Sequence, residues 1–231
     1  MQAEKKLKGW GELSYIFGTL FIALGTVMMT KSDLGTSMLA ATPYLLSLRF
    51  SWLSFGMGDY LIQGLLLLLL CAVTHRRRWK DVFSFLSAVI YGYTLDAMMF
   101  LLSGLAPVGL AARAICFITG MAFNSFGVAI FFPTYLPLQV YELFVKGFSE
   151  HLKRPIPLIK TCFDCSCLAT ALILSLLFFG RIEAVGPGTL MCAVCSGPLV
   201  GVWGRLLNKY VDFSPRSGGL YRYFGIQEEA K

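Results

Sequence analysis

Residues 13–30 read LSYIFGTLFIALGTVMMT, and residues 110–132 read LAARAICFITGMAFNSFGVAIFF. Both are long enough in apolar residues to cross a bilayer core, which takes about 20 in a helix. They also share a frame: Gly18 and Gly25 recur as Gly120 and Gly127. Further along, Asp59 recurs as Asp164 and Gly92 as Gly197, so one pattern runs twice at a spacing of 102 to 105 residues. The three-residue slip falls between the short segment 34–48 and the run that follows it, where an insertion is tolerated. If each copy crosses the membrane an odd number of times, the second lies inverted relative to the first. That geometry is typical of small-molecule transporters.

Working outward, four more runs of spanning length appear at 57–74, 82–104, 157–179 and 187–207. The chain is 56% apolar and only 14% charged, with a mean hydropathy of +0.67. A water-soluble domain carries nearer a quarter charged residues. The expected fold is therefore an all-α membrane protein with six transmembrane helices in one integral membrane domain, 1–231. Repeat 1 covers about 13–104 and repeat 2 about 110–207. The first span follows a basic stretch as a secretory signal does, but no convincing small-residue cleavage site follows it, so it reads as a retained span. The polar segment 210–231, with Pro215, Gly218 and Gly219, reads as a loosely ordered cytoplasmic tail.

The net charge of +7 does not point to nucleic acid, because its placement follows topology. Lys5, Lys6 and Lys8 precede the first span, and Arg76, Arg77, Arg78 and Lys80 separate the second from the third. Lys146, Lys153, Arg154 and Lys160 surround the gap before the fifth, and Arg205, Lys209, Arg216, Arg222 and Lys231 follow the sixth. With six crossings these sixteen share one side, and only Lys31, Arg49, Arg113 and Arg181 fall on the other. The bias places both termini in the cytoplasm and allows contact with anionic headgroups.

Two apolar segments, Leu34–Leu48 and Tyr135–Phe148, are too short to span. Topology makes each leave and return on one side, as a re-entrant or interfacial helix. Paired short segments are the best sequence pointer to a transporter's binding site. Before the first, Leu34-Gly35-Thr36-Ser37 combines a turn former with N-cap residues, which predicts a helix from near Thr36. Its N-terminal N–H groups and dipole end would face whatever sits there. The second copy carries Pro133 and Pro137 instead of glycine, so it too can end one helix and start another.

Ionisable groups at membrane depth are costly and need an explanation. Asp96, about fourteen residues into the third span, is the first candidate. It reads as a pathway carboxylate, or as one that is protonated or paired with Lys31 or Arg113. Asp164 lies several residues into the fifth span with Lys160 one turn before it, so a local ion pair competes with a pathway role. Asp59 at the mouth of the second span is a pathway group or a simple helix N-cap. Gln63, Asn124, Gln139 and Glu142 complete the polar candidates, together with Gly35, Thr36 and Ser37; inter-helix hydrogen bonding is the competing role. The glycine pairs, and Gly197, Gly201 and Gly204 on one face of the sixth span, read as close helix contacts.

Cys162-x-x-Cys165 and Cys192-x-x-Cys195 have metal-site spacing. Their depths argue against one ion: at ~1.5 Å per residue the pairs lie roughly 15 Å apart along the membrane normal. Cysteine in a span behaves as a small hydrophobe. No Ser/His/Asp arrangement, HExxH or phosphate-binding glycine loop is present. The expectation is a non-enzyme with no cofactor and no metal. Gly186-Pro187-Gly188-Thr189 reads as a turn and helix start.

On Gly18–Gly25, Leu34-Gly35-Thr36-Ser37, the Gly127 segment with Gln139–Phe148, Asp164, Gly186–Thr189 and Gly197-Pro198, the chain resembles the YczE/YitT-like group of bacterial multi-pass membrane proteins. The resemblance covers nearly all of 13–207. It implies an integral protein of the bacterial plasma (inner) membrane, often presumed to be a transporter. Pro133 and Pro137 depart from the glycine-led second segment expected of that group, which puts symmetric use of the two segments in doubt.

The function expected is a secondary transporter or permease for a small solute or ion, coupled to protons or a cation. The alternative is a non-transporting scaffold or regulator acting through basic cytoplasmic loops. The partners expected are the lipid bilayer and the solute, without nucleic acid; a homo-oligomer is left open.

Overall fold

In lipid every backbone N–H and C=O must be satisfied within the segment, so apolar runs of spanning length can only be helices. The computed structural model describes residues 11–75, 79–134 and 136–210, and among these it contains eight helices and no strand. Six are long and apolar enough to cross a membrane: α1 (Gly11–Lys31), α3 (Phe55–Thr74), α4 (Trp79–Leu101), α5 (Leu110–Phe131), α7 (Ile156–Phe179) and α8 (Pro187–Tyr210). The two short ones are α2 (Met38–Arg49) and α6 (Val140–Leu152). Lys5, Lys6, Lys8, Arg76, Arg77, Arg78, Tyr135 and the tail 211–231 lie outside the described residues.

The helix ends have local causes. Ser37 caps α2 by accepting from the Ala40 amide, two residues later than the start expected at Thr36. Ser54 caps α3 by accepting from Met57. Gly180 ends α7 in a left-handed conformation that costs glycine nothing. The second short helix runs 140–152 rather than 135–148. Pro137 lacks an N–H and the helix starts three residues beyond it, while the polar Ser149-Glu150-His151 turn extends the other end.

The centre of the molecule is an antiparallel crossing of α1 and α5, the two stretches quoted at the outset. A Cβ placed on Gly25 would collide with the Gly120 carbonyl and the Asn124 amide. A Cβ on Gly127 would lie 2.8 Å from the Gly18 carbonyl and 2.6 Å from the Ile22 amide. Only glycine permits backbones to approach this closely. The expectation of glycine packing holds for these four. It fails for α8: a Cβ on Gly197, Gly201 or Gly204 meets nothing within 4 Å, because no helix lies against that face.

Around this crossing, α4 packs on α1 and α8 on α5, while α3 and α7 hold the short helices. Ala40 near the start of α2 reaches Ala23, Val27, Phe55, Tyr91 and Leu95 inside the bundle, whereas Phe50 just past its end packs on Phe178 near the end of α7. The α2 N-terminus is thus the deep end. In α6 the first residue, Val140, is fully buried and Leu152 is exposed, so α6 also starts deep. Elsewhere the outer faces carry large exposed hydrophobics such as Leu68 (69%), Leu177 (73%) and Val194 (75%). Such a surface matches hydrocarbon rather than water.

Candidate functional site

The most enclosed carboxylate among the described residues is Asp59, on the second turn of α3 and 2% exposed. It is not the N-cap of α3, a role the sequence left open; Ser54 has that position. Asp59 Oδ2 accepts from Gln63 Nε2 at 2.7 Å, one turn further in, and Oδ1 accepts from the Tyr141 hydroxyl at 3.0 Å. Gln63, itself fully buried, uses its Oε1 to accept from the Val140 amide at 3.0 Å. That amide is the first of α6, one of the donors a helix leaves unpaired at its start. A single glutamine therefore links the carboxylate to the N-terminus of the short helix.

No Lys or Arg pairs with Asp59 among the described residues. A fully buried carboxylate with two neutral donors and no cation is expensive in a low-dielectric interior. A proton or a cationic ligand relieves that cost.

Asp59 and Tyr141 line a cavity of about 320 Å³ to which all eight helices contribute. Ser37 and Met38 at the start of α2 and Gln139 and Glu142 at the start of α6 reach it from the two halves of the chain. Ile22, Met29, Met121, Val128 and Phe131 supply an apolar wall, and Tyr91 adds a ring beside Thr26, its hydroxyl 3.3 Å from the Thr26 Oγ1. Asn124 donates to the Ile22 carbonyl and the Thr26 hydroxyl, tying α5 to α1 at the same level. At one end Lys160 Nζ stands 3.8 Å from Asp164 and 4.0 Å from Glu142. Burial raises the Glu142 carboxyl above its ordinary range, Lys160 opposes that rise and Asp164 adds to it.

The other residues singled out from sequence divide cleanly. Gln63, Asn124, Gln139, Glu142, Asp59, Asp164 and Ser37 belong to the cavity or its supporting network. Asp96 does not line it: this half-buried carboxylate accepts from Ser54 Oγ at 2.5 Å and the Gly56 amide at 2.7 Å, fastening α4 to the start of α3. Neither cation considered for it is its partner here; Arg113 instead pairs with Asp33 at 3.0 Å. Gly35 and Thr36 shape the loop. Gly35 has φ +108 and abuts Gly186 and Thr189, the Thr36 amide donates to the Ala184 carbonyl, and Thr30 donates to the Thr36 hydroxyl. Asp164 does pair with Lys160, and both face the cavity.

Sequence reasoning missed Tyr141, Tyr91 and Ser54. Tyr141 had a legible signal, a hydroxyl-tipped ring one residue before Glu142 in a segment already suspected of dipping inward. The cysteines separate by helix: Cys192 packs its sulfur 3.4 Å from Met29 Sδ, whereas Cys162 and Cys165 are exposed on α7.

Six helices of spanning length around a cavity lined by both polar and apolar side chains define a multi-pass helical membrane protein. The chain belongs to the family of unknown function DUF6198, which matches residues 10–205. No curated protein and no solved structure matches it.

Proposed function

We propose that the chain is a secondary transporter for a small, partly apolar solute, coupled to protons or carrying a positive charge itself. The observation that carries this reading is Asp59, a buried carboxylate without a cation at the floor of a cavity where two short helices converge from opposite repeats. Pathways built between paired short helices are the transporter solution to placing polar groups at membrane depth. Asp59 is the coupling group in this reading: it takes a proton or the solute's ammonium, and the two exchange.

The two halves are read as an inverted three-plus-three repeat. The reciprocal contacts of Gly25 with Gly120 and Asn124, and of Gly127 with Gly18 and Ile22, support it, because each pair maps onto the other by a shift of 102 residues. An antiparallel crossing with that exchange symmetry is what a two-fold axis in the membrane plane produces. The basic-residue bias supports cytoplasmic termini and a bacterial inner-membrane location. The YczE/YitT-like resemblance agrees, since it implies the same architecture.

Binding tests the coupling role. Purified protein in detergent, titrated with a panel of alkylammonium ions and their neutral isosteres, should gain thermal stability with the cations, less so at low pH, and not in Asp59→Asn. Equal stabilisation of the wild type and Asp59→Asn by the same cation contradicts the assignment.

A further inference from the structure

The two repeats can be compared contact by contact. Every packing that involves a helix of the first repeat has a counterpart when the repeats are exchanged, with one exception. The α1–α4 contact matches α5–α8, α2–α7 matches α6–α3, α2–α3 matches α6–α7, and α4–α6 matches α8–α2. The extensive α3–α4 contact has no comparable α7–α8 contact.

At the shift of 105 residues the equivalences are specific. In the first repeat Gly56 lies against the Gly92 carbonyl, and a Cβ on Gly92 would come within 2.9 Å of Tyr60 Cδ1. Asp96 latches the pair through Ser54 and Gly56. The corresponding residues of the second repeat are Thr161, Gly197, Cys165 and Gly201. Gly197 and Gly201 face open space, and Thr161 and Cys165 are exposed. The cavity lies between these helices, with Lys160 and Asp164 on the α7 wall and Ser196, Gly197 and Val200 on the α8 wall.

We propose that the protein has a second state in which these packings are exchanged: α7 closes on α8 as α3 now closes on α4, and α3 parts from α4. The inference rests on the repeat and transport reading above and gives it a moving part. Closing α7 on α8 seals the basic side of the cavity, and parting α3 from α4 opens the opposite side to Asp59. A pair of repeats in opposite conformations is one of two arrangements related by the two-fold axis, and each conformation is available to both halves of such a fold. The sequence also sets the bias between them. Gly201 supplies no carboxylate latch where Asp96 does, and Thr161 keeps α7 farther from α8 than Gly56 keeps α3 from α4. The state with α3–α4 closed is therefore the favoured one.

Crosslinking tests the exchange. Cys165 is kept, the other six cysteines are replaced by Ala, and Gly197→Cys is added; nothing crowds that site in the present state. By equivalence with Tyr60 and Gly92, the two thiols reach disulfide distance only when α7 closes on α8. Mild oxidation of membranes should give an intramolecular crosslink. Adding Asp96→Ala, which removes both bonds of the opposing latch, should raise its yield at least roughly fivefold, the shift expected from even one net hydrogen bond. Absence of the crosslink in both backgrounds, with both thiols reactive to maleimide, overturns the proposal. A crosslink between two copies instead assigns the α8 face to a homodimer and also overturns it. The crosslink with no solute flux supports the exchange and removes the transport reading; flux without the crosslink does the reverse.

Discussion

Two buried glutamines, Gln63 and Gln139, should respond very unequally to the same substitution. Gln63→Leu removes the donor to Asp59 and the acceptor of the Val140 amide in one step. The helix itself tolerates leucine, one of the strongest helix formers. A net hydrogen bond contributes about 0.5–1.5 kcal/mol, so the bond within α3 to Asp59 and the bond across to α6 together give a floor of about 1 kcal/mol. Leaving a buried amide unpaired costs about 1–3 kcal/mol, so the full loss is about 1–4 kcal/mol. For a chain of this size that is an apparent melting shift of roughly 3–15 °C. Gln139 is also buried, but it makes no side-chain hydrogen bond at the start of α6. Gln139→Leu should therefore shift the midpoint by less than about 2 °C, as substitutions away from a network do. Thermal unfolding in detergent, followed by tryptophan fluorescence, reads both variants. Equal shifts, or a larger one for Gln139→Leu, would refute the linked Asp59–Gln63–α6 network.

Further outcomes follow from the same geometry. Gly25→Leu should prevent the α1–α5 crossing and abolish folded protein on size-exclusion chromatography, whereas Gly204→Leu, on an open face, should express normally. Ser54→Ala removes both the α3 cap and a donor to Asp96, and should lower stability by about 1–2 kcal/mol in a detergent melt. Lys160→Met removes the cation that holds down the raised Glu142 carboxyl. Because an acid's charged form then loses its stabilising partner, the infrared carbonyl band of protonated Glu142 should persist to higher pH, and an unchanged titration would count against the pairing. Deleting 211–231 should leave cation-induced stabilisation intact, while its loss would favour a docking role for the basic segments.

The spans were legible because burial in lipid demands about 20 apolar residues, a long and redundant signal. Their observed ends lie within a few residues of the expected ones. The second short helix was shifted because its polar last turn, Ser149 to His151, looked like loop, although it only marks where α6 emerges. The polar residues were harder to rank. Asp96 led on depth along its own span, yet depth does not report what a neighbouring helix offers, and Ser54 and Gly56 turn it into a fastener. Asp59 looked like a cap from its place near the start of α3, and only the packing of α6 reveals it as the most enclosed carboxylate. The glycines of α1 and α5 gave their contacts away by periodicity. Those of α8 have the same pattern and no contact, because a small-residue face says that a close approach is possible, not that a given state makes it.

Flux through Asp59 is the central claim, and proteoliposomes with a trapped pH indicator measure it. With an outward proton gradient imposed, adding an alkylammonium ion that stabilises the purified protein should drive proton movement and uptake of the labelled cation together. Both should vanish in Asp59→Asn while the protein stays folded and correctly inserted. Undiminished uptake by Asp59→Asn, or no flux of any binding cation through the wild type, contradicts the account.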